Sequence, residues 1–210
     1  MGTRSIVQIK ARKNLLEIKE VFDNLKIKFW LALGTCLGAV REGHFISYDG
    51  DVDIMMLARD LSPKMYRVFH KIASFRSISH WPDKPMVIEI RKGMKIHILL
   101  KYYFSPKDIY IWPASHPYWQ NCIMPGRSLR DDYWVNFLDT TFRAPNPPEE
   151  YLEQLYGKNW RIPLNPKREG ASWKKQWKRI PDAKFAKYIR QIEKHSWIQH
   201  LEFPVHQRRI

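Results

Sequence analysis

The stretch YDGDVDIMML, residues 48–57, constrains this chain more than any other part of it. Alternate residues of a β-strand point to the same face. A strand over 51–57 therefore carries Asp51 and Asp53 side by side, with Met55 after them, while Val52 and Ile54 point to the opposite side. Two neighbouring carboxylates repel each other unless positive charge lies between them. A divalent cation is the usual remedy, and hard oxygen ligands suit magnesium or manganese. Such an ion takes a couple of carboxylates from the protein and completes its shell with water and substrate phosphate. Asp49, beside Gly50, reads equally as a third ligand and as a turn residue.

The segment before the aspartates supplies an anion site. Gly34 permits close backbone approach, and Thr35 offers a hydroxyl and an N–H at what reads as a helix start. Arg41, between Gly38 and Gly43, has the geometry of a bidentate phosphate contact, although a lone arginine is also an ordinary surface charge. A cation held by carboxylates next to an anion site fits a substrate that carries phosphate.

The rest of the chain reads as alternating helices and strands without repeats. Leu15, Ile18, Phe22 and Leu25 recur at helical spacing, so the pattern predicts an amphipathic helix over 8–25. IKFWLAL, 27–33, predicts a strand, and a short helix follows over 36–42. Ser62-Pro63 is a helix start, with Ser as the cap and Pro in the first turn. Residues 86–104 read as a hairpin turning near Lys92-Gly93. Residues 105–148 show little periodicity and read as an irregular functional layer, where Trp112, Trp119 and Trp134 are candidates to stack on a base, a sugar or a cation, or to fill the core. PPEEYLEQLYG, 147–157, predicts a helix with acidic residues in its first turn and Gly157 as its stop. A basic amphipathic helix is expected over 182–201, inside a C-terminal extension that begins at 171.

The formal net charge of +15 calls for an anionic partner: nucleic acid, an acidic membrane surface or a phosphorylated small molecule. No stretch of about 20 apolar residues is present, which argues against a membrane-spanning helix. The first residues lack the apolar core and small-residue site of a secretory signal. With Cys36 and Cys122 as the only cysteines, a disulfide scaffold and a four-thiolate zinc site are excluded, and a reducing, cytoplasmic setting fits.

Two ordered patches carry a family resemblance. FWLALGTCLGAVREGHFISYDGDVDIMM, 29–56, contains Leu33-Gly34-Thr35, Leu37-Gly38-Ala39-Val40-Arg41, Phe45-Ile46 and the three aspartates, and APNPPEEYLEQLYGKNWRIP, 144–163, has the proline-led helix, Tyr-Leu, Tyr-Gly and a following Trp and Pro. Together they resemble the LicD family, which includes the fukutin-related proteins. The resemblance implies an α+β fold with a nucleotidyltransferase-like mixed sheet flanked by helices, occupying residues 1–170. It also implies transfer of a phosphorylated alcohol, such as phosphocholine or ribitol phosphate, from a CDP-linked donor to a glycan. Asp51 and Asp53 would then be the metal pair, with Mg2+ or Mn2+ as cofactor, and Gly34, Thr35 and Arg41 the phosphate cradle.

One departure stands out. Family members place a third acid on a later strand between apolar residues, and the comparable stretch here, KIHIL, carries His97. That histidine reads as a general base, a metal ligand or a satisfied strand residue. Glu89, on the facing strand of the hairpin, is the alternative source of the acid. Three further readings stay open: a nucleotidyltransferase acting on RNA or another acceptor, a nucleotide-binding protein of the same fold that has lost its chemistry, and peripheral attachment of the basic C-terminal part to an anionic membrane.

Overall fold

The computed structural model describes residues 3–72, 74–80, 85–104, 107–112 and 122–163. Helix α1, Thr3–Asn24, leads into strand β1, Phe29–Leu31. Helix α2, Leu33–Arg41, follows, then β2, Asp51–Leu57, a 3-10 turn at Ala58–Asp60, and α3, Pro63–Ile72. The next strands are β3, Ser74–His80, β4, Pro85–Arg91, and β5, Lys95–Phe104. Strands β6, Ile109–Trp112, and β7, Cys122–Pro125, precede a single turn of helix, α4, Arg127–Arg130. A hairpin of β8, Tyr133–Phe137, and β9, Thr140–Ala144, leads to α5, Pro148–Tyr156.

Seven strands form one mixed sheet in the order β1-β2-β5-β4-β3, with β6 and β7 continuing from the end of β5. The pairing β2–β5 is parallel, and the others are antiparallel. This is the α+β, mixed-sheet architecture that the family resemblance implies.

Local chemistry explains most of these elements. Ser62 caps α3, its Oγ accepting the Met65 N–H at 3.3 Å, as the Ser-Pro start requires. Gly157 stops α5 at φ 84°, a left-handed conformation in which glycine carries no steric penalty. The β4–β5 hairpin turns at Gly93, φ 73°, and Asn14 of α1 donates to the Lys92 carbonyl at 3.0 Å, so the helix is pinned to the turn. Phe22 of α1 meets Phe29 of β1 edge-on at 5.0 Å and lies 5.9 Å from Phe69 of α3. Phe29 pairs in register with Met56, so α1 and α3 cover the face of the sheet that carries Val52, Ile54 and Met56. Those three are fully buried, as are Ile18, Leu15 and Phe22 opposite them. On the β1 side, Phe142 of β9 packs against Phe29.

Two expectations are corrected. The strand expected over 27–33 is only Phe29–Leu31, because Leu33, at φ 42°, already turns the chain into α2. The stretch 105–148, expected to be irregular, contains four strands and a helical turn among its described residues. These strands have four or five residues each and take their order from β5 and from one another, which leaves little local periodicity to read. The helix expected over 182–201, the extension from 171, and Trp119 lie outside the described residues.

Candidate active site

Register places the acidic residues in a row. Asp53 of β2 lies opposite His97 of β5, and His97 lies opposite Glu89 of β4. Directly opposed residues of neighbouring strands share a face, so the three side chains line up across the sheet on the side away from α1 and α3. Asp51 stands two residues before Asp53 on the same face.

The His97 ring sits at the centre. Its Nδ1 is 3.2 Å from Asp53 Oδ1 and 3.4 Å from Asp51 Oδ2, while its Nε2 is 3.4 Å from Glu89 Oε2. The ligand atoms of Asp51, Asp53 and His97 all lie within 4.8 Å of one another. Two carboxylate oxygens and an imidazole nitrogen at that spacing match the donor set of a divalent cation. The site is half sunk in the protein: the Asp53 side chain is 10% exposed and that of Glu89 is 3% exposed. Glu89 holds a second partner, its Oε1 accepting from Arg91 Nε at 2.5 Å. Glu89 and His97 therefore share a face, with Glu89 one strand further from the aspartates.

The N-terminus of α2 closes the other side. Ala32, at the helix start, provides no side-chain cap. Partners from distant elements replace it. The Leu33 N–H donates to Tyr151 Oη of α5 at 3.0 Å, across 118 residues of sequence. The Gly34 N–H is directed at the Asp53 carboxylate. Thr35 Oγ1 accepts the main-chain N–H of Asp53 at 2.9 Å, and Thr35 is buried. A helix N-terminus is a favourable place for negative charge, and here Asp53 supplies it. The Gly34 and Thr35 groups that the sequence assigns to a phosphate are thus turned toward Asp53.

Asp49 lies beside this group without joining its 4.8 Å cluster. Its N–H donates to the Ile46 carbonyl at 3.0 Å, the hydrogen bond of a tight turn. Its carboxyl packs over Gly34, where a Cβ would stand 2.2 Å from Asp49 Oδ2. It also hydrogen-bonds Asp51. Arg41 is buried. Its Nη2 and Nε donate to Glu42 Oε1 at 2.6 and 3.2 Å, and its Nη1 donates to the Trp160 carbonyl at 3.2 Å. The contact with the Trp160 carbonyl ties the end of α2 to the segment after α5. Of the candidate stacking residues, Trp134 is exposed on β8 with the Arg143 guanidinium 4.2 Å from its ring centroid.

The electrostatics are those of crowded anions. Burial, and then the charges of Asp53 and Asp51, push Asp49 up to about 9. Burial raises Asp53 to about 6, with the His97 hydrogen bond opposing and the Asp51 charge assisting. Burial alone would lower His97, but Asp53, Asp51 and Glu89 together raise it. The surrounding carboxylates thus favour the protonated imidazole. A divalent ion would relieve the same repulsion, so the residues present fit the metal that the sequence expects.

Tyr151 and Tyr156 are neighbours of the site that residue-by-residue reading misses. Tyr156 is half-buried against the core, and desolvation followed by the charges of Asp53 and Asp49 raises its hydroxyl well above its ordinary range. The available signal was the segment EEYLEQLYG itself, which spaces Tyr151 and Tyr156 on a short helix far from the aspartates in sequence.

Comparison with known proteins agrees with this geometry. Residues 26–147 match the family model described as LicD/FKTN/FKRP, nucleotidyltransferase domain. The chain is 26% identical over 187 residues to the human ribitol-5-phosphate transferase FKTN, covering 82% of this chain and 36% of that protein. The mouse ribitol-5-phosphate transferase FKTN is 24% identical over 164 residues, 74% of this chain and 34% of that protein. The chain thus spans about a third of the length of these relatives. Among solved structures, the lincomycin-bound lincosamide antibiotic adenylyltransferase LnuA superposes with a TM-score of 0.50 at 17% identity, over 79% of this chain and 97% of that one. It shares the nucleotidyltransferase fold.

Proposed function

The chain belongs to the LicD/FKTN/FKRP nucleotidyltransferase family, and from that premise we propose that it transfers a phosphorylated alcohol from a CDP-linked donor to a glycan. One observation carries the reading: Asp51, Asp53 and His97 converge at the N-terminal end of α2, in a chain similar to proteins named ribitol-5-phosphate transferases. A bound Mg2+ or Mn2+ would neutralise the donor's diphosphate and assist the departure of the nucleotide.

The residues themselves have separate tasks. Asp51 and Asp53, with His97 Nδ1 facing both, would hold the cation. The start of α2 presents positive dipole toward the same spot. An acceptor hydroxyl oxygen forms a bond to the phosphorus bearing the alcohol, and the bond from that phosphorus to the bridging oxygen breaks. CMP leaves with the electron pair, and an aspartate or histidine of the cluster takes the hydroxyl proton. Tyr48, exposed next to Asp49, offers an aromatic face to the cytosine or the sugar.

His97 in place of an acid favours a second reading, a protein that binds the nucleotide without turning it over. A panel of CDP-linked alcohols with Mg2+ or Mn2+ separates the two. The transferase releases CMP from at least one donor, and Asp51→Asn and Asp53→Asn lose that release. Binding of CDP compounds without CMP release supports the second reading. Native and substituted proteins behaving alike on every donor removes the assignment. Contact of the basic C-terminal part with an anionic membrane is a further element of the proposal, tested by co-sedimentation of the full chain with phosphatidylserine vesicles. No helix among the described residues is long and apolar enough to cross a membrane.

A further inference from the structure

We propose that Glu89 is a positioning residue that fixes the proton of His97 on Nε2, so that Nδ1 completes a nitrogen-and-two-carboxylate set selective for manganese-like ions over magnesium. This rests on the reading of Asp51 and Asp53 as cation ligands, and it assigns the group that stands in for the missing acid and the ion that such a group favours.

A neutral imidazole has one N–H and one lone pair, and the hydrogen bond at one nitrogen decides the role of the other. Here the two nitrogens face different chemistry. Nδ1 points between Asp51 Oδ2 and Asp53 Oδ1, the gap a cation would enter. Nε2 points at Glu89 Oε2, an acceptor at 3.4 Å. Once a cation occupies the gap, a proton on Nδ1 would be driven off, and the remaining proton belongs on Nε2, where Glu89 accepts it. Metal-binding histidines commonly donate their second N–H to a carboxylate in this way, which fixes the ring and makes it a better ligand.

Glu89 is built to hold still. It is in register with His97 on the adjacent strand, its side chain is 3% exposed, and its other oxygen is bonded to Arg91 Nε. A loop residue would not offer the same constancy. The ionic consequence comes from the donors. Magnesium prefers oxygen and dehydrates reluctantly, whereas a nitrogen ligand gains affinity along the series from manganese through cobalt and to zinc. Replacing a carboxylate by imidazole also removes one negative charge from the site, which weakens magnesium most because oxygen charge is its main attraction.

The test uses the full chain without donor or acceptor, so that it reads ion binding alone. Mn2+ affinity is measured by electron paramagnetic resonance of the free ion, and Mg2+ affinity by competition, for native protein, His97→Asp, Glu89→Gln and the double variant. Native protein is expected to favour Mn2+, and His97→Asp to lower the Mn2+/Mg2+ affinity ratio by about tenfold or more. Glu89→Gln is expected to weaken Mn2+ by roughly 10- to 100-fold, and this effect should vanish in the His97→Asp background, where there is no ring to hold. A loss of the same size in both backgrounds would mean that Glu89 acts only on the fold and would overturn the proposal. So would an unchanged ion ratio in His97→Asp. Native protein labelled with 15N-histidine and loaded with Zn2+ gives a reading that needs no variant: His97 should show metal-bound Nδ1 and protonated Nε2, and the opposite assignment refutes it. If native protein binds none of these ions, the cation reading of Asp51 and Asp53 fails too; if it binds them without the Glu89 and His97 dependence, only the present inference fails.

Discussion

Replacing Thr35 with valine tests how the site is held. The sequence offers the Thr35 hydroxyl to a phosphate, whereas in the structure it accepts the Asp53 main-chain N–H at 2.9 Å in a buried position. Valine keeps the shape and removes the acceptor. The Asp53 N–H is then buried without a partner, which costs about 1 to 3 kcal/mol. For a chain of 210 residues that corresponds to a fall in melting temperature of roughly 2 to 12 °C, at about 2 to 4 °C per kcal/mol. Serine is the control. It keeps the oxygen and gives up one methyl group, worth about 0.8 kcal/mol of burial. Urea denaturation of the metal-free protein, with the slope checked for constancy, should rank native above serine and serine above valine. Mn2+ binding should follow the same order, because the lost hydrogen bond anchors the strand position of Asp53. A valine variant as stable as native, with serine the weaker of the two, would show that the methyl and not the oxygen matters at this position, and the coupling of α2 to β2 would have to be rethought.

Three other outcomes are expected. Gly34→Ala places a Cβ 2.2 Å from Asp49 Oδ2, so the carboxyl must retreat by about 1 Å; a misplacement of that size costs on the order of 100-fold in rate, and CMP release should fall far more than the unfolding midpoint does. The metal-free protein should lose stability as pH rises. The raised Asp53 and Asp49 mean that the native state binds more protons than the unfolded one between about 4 and 6 for the first and up to about 9 for the second. The raised His97 contributes stability below its unfolded value that fades as pH climbs through its native one, in the same direction. Chemical denaturation across pH 4 to 9 checks this, and a saturating divalent ion should flatten the slope; stability that increases over the range contradicts the crowded-anion description. Ser62→Ala removes the cap of α3 and should cost about 1 kcal/mol in the same assay without altering ion binding.

Much of this was legible in the chain because local chemistry decides it. Strand β2 falls on the expected residues since its alternation of aspartate with valine and isoleucine permits one pleat only. Ser62 and Gly157 mark helix ends through bonds made within a few residues. The β4–β5 hairpin turns where glycine supplies a positive φ. What the sequence left open depends on partners far away. Helix α2 begins at Leu33, earlier than its own residues indicate, because Tyr151 and Asp53 occupy N–H groups that no local side chain satisfies. The strands after residue 105 are short and find their order by pairing, β6 with β5, β7 with β6, and β8 with β9. The facing of Glu89 and His97 is a matter of register, fixed only once the hairpin is built. Arg41, legible as a phosphate ligand, also donates to Glu42 and to the Trp160 carbonyl, contacts that no spacing rule foretells.

The bond from the Leu33 N–H to Tyr151 Oη joins the first helix of the site to the last helix of the described chain. A fragment ended before α5 would keep every described strand and all four polar residues of the row, yet its α2 would fray at the very turn that faces Asp53. Trimming to the last described strand would therefore yield an intact sheet with a slack mouth.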